Sequence, residues 1–254
     1  MISYIAHIPH SPLLLPQISR GKFRQFKKMS QTVAGIGHDI YSRGCDTLIL
    51  LSPYASPHEA HLLNVSPQFT VSFGAYGEFL TRVRFHGELA LAYRIRHGLG
   101  DEYPIVSITR PELDGATGAA ALALGVPEGR VRLLPIYHAQ SPTQYLLEFG
   151  KKLRDILERT AEKIAIVSLG DMSRTSKRNR EAGRRLDQSM LKKLSDRDTA
   201  ELLATGPDQI DGFSLGCIRP LAVTLGVLSG QSYAPEVLNY EQKYGVGMLA
   251  ARFI

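Results

Sequence analysis

The chain has 254 residues, of which 44% are hydrophobic and 21% charged, and a formal net charge of +6. This balance excludes a disordered chain and supplies enough apolar residues for a core of ordinary size. Cys45 and Cys217 are too few for a disulfide framework, which points to a reducing, cytoplasmic setting. No apolar run reaches the length of a membrane span, and residues 1–16 lack the pattern of a secretory signal, so no membrane partner is expected.

Residues 2–8 form a short, β-prone apolar run that predicts a buried strand. Pro9, Pro12 and Pro16 end it, because proline cannot donate to a strand ladder. His7 and His10 are thereby delivered to a strand's C-terminal end, where open α/β sheets place their ligand crevice. A helix is predicted over 22–42, and a second buried strand over 47–51 runs into a proline-punctuated loop carrying Tyr54, His58 and His61. Two short strands, 62–66 and 69–73, precede a helix over 88–97 and a strand over 103–108. Asp114 and Gly115 then lead into an Ala-rich helix, 118–124.

A strand over 131–137 ends at His138, which is placed to face the crevice, and an amphipathic helix follows over 142–162. The buried strand 164–168 delivers Gly170, Asp171 and Arg174 at its end. Helices are expected over 175–194 and 198–204, then an apolar helix that starts near Cys217 and ends near Gly230. Strands over 237–241 and 246–253 close the chain. Alternation of this kind predicts one α/β domain over 1–254, with a mostly buried mixed sheet, helices on both faces and a strand-end crevice. His38, His86 and His97 have no partner in sequence and read as surface or core residues.

The positive surplus is concentrated between Arg174 and Lys193, where eight basic residues face only Glu181 and Asp187. A solvated helix face accounts for such a run, and anionic ligands are its other use. Nucleic acid is not favoured as a partner, because no aromatic residues are interleaved with the basic ones.

The strand-end loops together resemble the class III extradiol ring-cleavage dioxygenases of the B-subunit type, a superfamily that includes Memo-like proteins. The resemblance rests on 9–16 (PHSPLLLP), 50–53 (LLSP), 168–173 (SLGDMS), 217–222 (CIRPLA) and 240–247 (YEQKYGVG), in that order along nearly the whole chain. It implies a non-haem Fe(II) held by two histidines and a carboxylate, a catechol-like substrate, and a separate histidine as acid/base. His10 matches the first ligand. Tyr54 stands where the second histidine is expected, Gly115 where a further one follows the aspartate, and Arg174 where the acid/base histidine closes its motif.

His58, His61 and Cys217 are the alternative metal ligands, although a cysteine at a helix start is more often a small buried residue. His7, Tyr54, Asp171, Arg174 and Glu241 are the candidate ligand-binding residues. Asp171 is expected to cap the following helix or bond the loop backbone. Arg174 is expected either beside that helix's N-terminus, as an anion site, or in a salt bridge to Asp171 or Glu241. Two functions follow from the resemblance: a ring-cleaving enzyme with Fe(II), or a metal-free relative that binds a small aromatic or anionic molecule. The sequence leaves room for a homo-oligomer.

Overall fold

The computed structural model describes all residues except 57, 58 and 128. Among the described residues, ten strands are arranged as an eight-stranded sheet in the order β6-β3-β7-β2-β8-β1-β10-β9 and a separate pair, β4-β5. The strands are β1 (Ile2–Ile8), β2 (Thr47–Leu51), β3 (His61–Asn64), β4 (Gln68–Phe73), β5 (Glu78–His86), β6 (Ile105–Ile108), β7 (Arg132–Tyr137), β8 (Ile164–Leu169), β9 (Glu236–Lys243) and β10 (Val246–Arg252). The helices are α1 (Pro16–Ser19), α2 (Lys27–Ser42), α3 (Leu89–Leu99), α4 (Gly115–Ala123), α5 (Thr143–Leu157), α6 (Arg180–Ser195), α7 (Thr199–Leu203), α8 (Pro207–Gly212) and α9 (Ile218–Leu228).

The central strands β7, β2, β8 and β1 are mutually parallel, while β3 and β10 flank them antiparallel. The crossover from β1 to β2 and the crossover from β7 to β8 travel in opposite directions along this sheet. Right-handed crossovers must then place their helices on opposite faces. On one face α2 buries Met29, Val33, Ile36 and Ile40 against Tyr4, Ala6 and Ile8. On the other, α5 buries Phe149, Leu153 and Leu157 against Ile5, Ile49 and Ile166, with α9 in the same layer. Burial of this kind stabilises at roughly 25 cal/mol per Å² of apolar surface, so the two layers dominate the stability. Among the described residues no helix is long and apolar enough to cross a membrane.

The expected α/β architecture is therefore present, with three local corrections. The helix expected from residue 175 begins at Arg180. Residues 172–175 instead continue the sheet: Met172 N–H bonds Gly247 O, Gly247 N–H bonds Ser173 O, and Thr175 N–H bonds Gly245 O, each at 2.7–2.8 Å. Strand-like pairing on both sides of Arg174 is incompatible with helical dihedrals there. Second, α4 begins at Gly115, because the Asp114 carboxylate accepts from Ala116 N–H (3.0 Å) and Thr117 N–H (2.9 Å) as an N-cap. Third, β5 is a nine-residue strand with no counterpart in the sequence reading, and His61 opens β3 instead of lying in the preceding loop.

Candidate functional site

The C-terminal ends of β1, β2 and β8 converge on one cleft of about 410 Å³, lined by His10, Leu13, Ile18, Tyr54, Tyr76, Ala116, Asp171, Arg174 and Val246 among others. Each loop departs because proline or glycine stops its strand: Pro9 after β1, Pro53 after β2, Gly170 after β8. Asp171 is buried at the centre of the floor. Its Oδ1 lies 3.4 Å from His10 N and 3.5 Å from His10 Nδ1, and its Oδ2 lies 3.3 Å from Arg174 Nη2. The Asp171 carbonyl accepts from Cys217 N–H at 3.0 Å. It caps no helix, since α6 starts nine residues later.

Arg174 has its backbone fixed by Phe213 O (2.7 Å) and by the bridge to Val246, yet 58% of its side chain is exposed. One end of the guanidinium meets Asp171 and the remainder faces the cleft. The salt bridge to Asp171 is thus present and the one to Glu241 is not. The adjoining helix N-terminus expected for Arg174 is absent, because α6 begins six residues on.

Tyr54 packs edge-on to His10, with ring centroids 6.1 Å apart and planes at 71°. Burial holds its phenol above the ordinary range, so at neutral pH it is a neutral O–H donor. Tyr76, which the sequence does not single out, reaches into the cleft from the turn between β4 and β5. Its one signal in sequence is an aromatic residue between two glycines, Gly74 and Gly77.

The other candidates stand elsewhere. His7 is fully buried between β1 and β8, with Nδ1 2.9 Å from Ser168 Oγ and Nε2 3.1 Å from Gly170 O. A carbonyl can only accept, so Nε2 carries the proton and Nδ1 accepts from Ser168. Both nitrogens are used, and His7 is a tie between strands instead of a cleft residue. Burial pulls its pKa down to about 3.

His61 is buried in an aromatic slot, its ring centroid 3.7 Å from Phe149 and 6.0 Å from Tyr145, and its Nδ1 accepts from Ala139 N–H at 3.2 Å. It does not line the cleft. His138, at the end of β7, is likewise buried and turns Nδ1 to Ala139 O at 3.0 Å. Burial holds both imidazoles neutral, with pKa values near 3 and 4.

Cys217 has no exposed surface, and burial pushes its thiol far above the ordinary range, so no thiolate is offered to a metal at neutral pH. Glu241, on β9 opposite Met248, does not line the cleft. His58 lies outside the described residues.

The chain matches the family model described as "Catalytic LigB subunit of aromatic ring-opening dioxygenase" over residues 4–253. It belongs to this family. It is also 22% identical over 258 residues to Protein CA_C1420 of Clostridium acetobutylicum, an alignment that takes in 94% of the chain. The chain spans 55% of that relative's length. Among solved structures it is similar to the uncharacterized protein JW3007 from Escherichia coli K12, with a TM-score of 0.70, 13% identity and 98% of each chain covered. That likeness is one of fold.

Family membership implies Fe(II), and the donor set tests that implication. A facial site needs two imidazoles and a carboxylate converging on one point. Here His10 is the one imidazole lining the cleft among the described residues, and its nearest carboxylate is already paired with Arg174. Among the described residues no group of three or more His, Cys, Asp or Glu side chains is placed to hold a metal ion. A fixed guanidinium beside the carboxylate also repels a divalent cation. The described residues do not fit Fe(II).

Proposed function

We propose that the cleft binds a small aromatic carboxylate and that this family member works as a ligand-binding protein without iron-dependent ring opening. The observation that carries the reading is Arg174, a half-exposed guanidinium anchored at one end to buried Asp171 and open to the cleft at the other. A planar fork of donors matches a carboxylate bidentately. The walls supply the complementary half of the ligand: the rings of Tyr54 and Tyr76 with the aliphatic side chains of Leu13 and Ile18. The setting we propose is cytoplasmic, in keeping with two free, buried cysteines.

A second reading, ring cleavage at iron, is favoured by the family and by one detail of geometry. His10 turns Nδ1 toward a carboxylate, as ligating imidazoles do. The experiment that separates the two is a titration with benzoate and 4-hydroxybenzoate, read by thermal midpoint and calorimetry, alongside elemental analysis of the purified protein. Binding without iron that Arg174→Ala weakens at least tenfold, about 1.4 kcal/mol, supports the proposal. Stoichiometric iron with oxygen uptake on catechols, both lost in His10→Ala, would replace it with the second reading.

A further inference from the structure

A separate groove of about 510 Å³ runs between the first turns of α6 and the edge strand β9, lined by Lys177, Arg178, Arg180, Arg184 and Arg185 together with Glu181, Gln188 and Gln242. Five cations face one carboxylate, a surplus that makes up most of the chain's formal +6. Among the described residues, the single ion pair within the groove is Arg185 with Glu181, at 3.3 Å. Lys177, Arg178, Arg180 and Arg184 have no carboxylate within salt-bridge reach among the described residues.

Their placement is electrostatically unfavourable in the protein alone. The positive end of a helix dipole disfavours nearby cations, yet Lys177, Arg178 and Arg180 gather around the start of α6 with only Glu181 in the first turn to offset them, and its Asn179 cap makes no side-chain hydrogen bond. An anion seated in the groove would relieve both the mutual repulsion and the dipole. We propose that this groove binds a chain of linked phosphates, as in a nucleoside triphosphate or inorganic polyphosphate.

Three features select that chemistry. Four of the five cations are arginines, whose forked donors pair with phosphoryl oxygens bidentately. The lining from Arg180 to Gln188 spans about 12 Å along the helix, room for a short run of phosphates and too little for a track along a duplex. No aromatic side chain lines the groove, so unpaired bases would find no stacking platform. Gln188 and Gln242 offer neutral amide groups at the wall. Arg174 is not part of this groove, and the inference stands independently of what the cleft binds.

The test titrates the full chain with inorganic tripolyphosphate and with ATP in low-salt buffer, and follows the thermal midpoint. Sulfate, poly-glutamate and a single-stranded oligonucleotide serve as comparison arms at matched ionic strength. A ligand that binds only the folded state raises the midpoint with concentration. The expected result is a rise with tripolyphosphate that Arg180→Glu/Arg184→Glu abolishes, Arg184→Gln reduces and Arg174→Ala leaves intact. An equal response to ATP would support the site and extend its ligands to nucleotides. No rise, a rise unchanged in the double variant, or an equal effect from sulfate would overturn the proposal. Tighter binding of poly-glutamate or the oligonucleotide would also overturn it. All the substituted side chains are exposed, and the unliganded midpoint of each variant reports its folding.

Discussion

Tyr76 occupies the space that a side chain at Gly115 would need: its hydroxyl lies 2.8 Å from where a Cβ on Gly115 would sit. The two positions are therefore linked, although they lie on separate elements. A residue with a side chain at the start of α4 and an inward Tyr76 exclude each other. The absent histidine at position 115 and the aromatic wall of the cleft are two views of one steric fact.

Gly115→Ala should therefore displace Tyr76 instead of unfolding the protein. Tyr76 is 46% exposed and free to swing outward, and alanine gains helix propensity at this position, so the stability change should stay within about 1 kcal/mol. Benzoate affinity should fall, and Tyr76→Phe, lacking the hydroxyl, should reduce the further effect of Gly115→Ala. A double-mutant cycle on affinity measures this coupling. Strictly additive losses would refute the link.

Acid should destabilise the fold through histidines that lie outside the cleft. His7, His61 and His138 are held neutral by burial, with pKa values near 3, 3 and 4 against 6.5 for an unperturbed histidine. The unfolded chain takes up protons below about pH 6.5 while the folded chain does not, so this stability is complete above that value and lost on acidification toward pH 4. Each group contributes a slope of up to about 1.4 kcal/mol per pH unit. Urea unfolding measured from about pH 7 to pH 5 should show this decline, and His61→Phe should lower the slope by one group's share. An unchanged slope in that variant would count against the assignment.

Asp187 should matter to the cleft without entering it. Its carboxylate accepts from Ser173 N–H (2.9 Å), Ser173 Oγ (2.9 Å) and Tyr240 Oη (2.7 Å), and so holds the segment that carries Arg174. Asp187→Ala strands three donors, the two of Ser173 fully buried and the Tyr240 hydroxyl half-buried, and a loss of about 2–4 kcal/mol is expected, with weaker benzoate binding in the protein that remains folded. Asp187→Asn keeps an acceptor and should lose less than half as much. Equal losses in the two variants would show that volume, not hydrogen bonding, is what counts there.

Metal affinity should be low in the natural chain and recoverable by design. Mn(II) and Zn(II) are expected to leave the thermal midpoint of the natural chain unchanged. Tyr54→His with Arg174→Ser sets a second imidazole beside His10 and removes the competing cation, and this variant should gain a metal-dependent rise. A rise in the natural chain that disappears in His10→Ala would show that the site already holds metal.

The strand ends are legible in the sequence because an unbroken apolar run meeting proline or glycine has one physical meaning, and β1, β2 and β8 all carry that mark. His10, Tyr54, Asp171 and Arg174 come together for this reason. The faces that His7 and His61 occupy are not legible. A strand residue one step away points to the opposite side, and His7 turns to β8 while His10 reaches the cleft. The start of α6 is decided by partners 70 residues downstream, at 245–247, which no local propensity records. β5 escapes notice because it is paired only with β4 and leaves Phe79 and Leu80 71% and 91% exposed, which blurs the alternation that marks a half-buried strand. Tyr76 enters the cleft from that same unread hairpin.

Beneath the cleft, a Cβ on Gly170 would stand 2.4 Å from Cys217 Cα, so the chain after β8 lies directly on the chain entering α9. Contact at that range leaves no room for any residue larger than glycine, and it fixes the relative height of the loops that present Asp171 and Arg174. Substitutions that change what these loops display leave this contact untouched, whereas a single methyl group at 170 would lift the whole floor. A scaffold of this design can exchange the groups its loops display while the floor beneath them keeps its place. Within such a lineage, chemistry should diverge faster than shape.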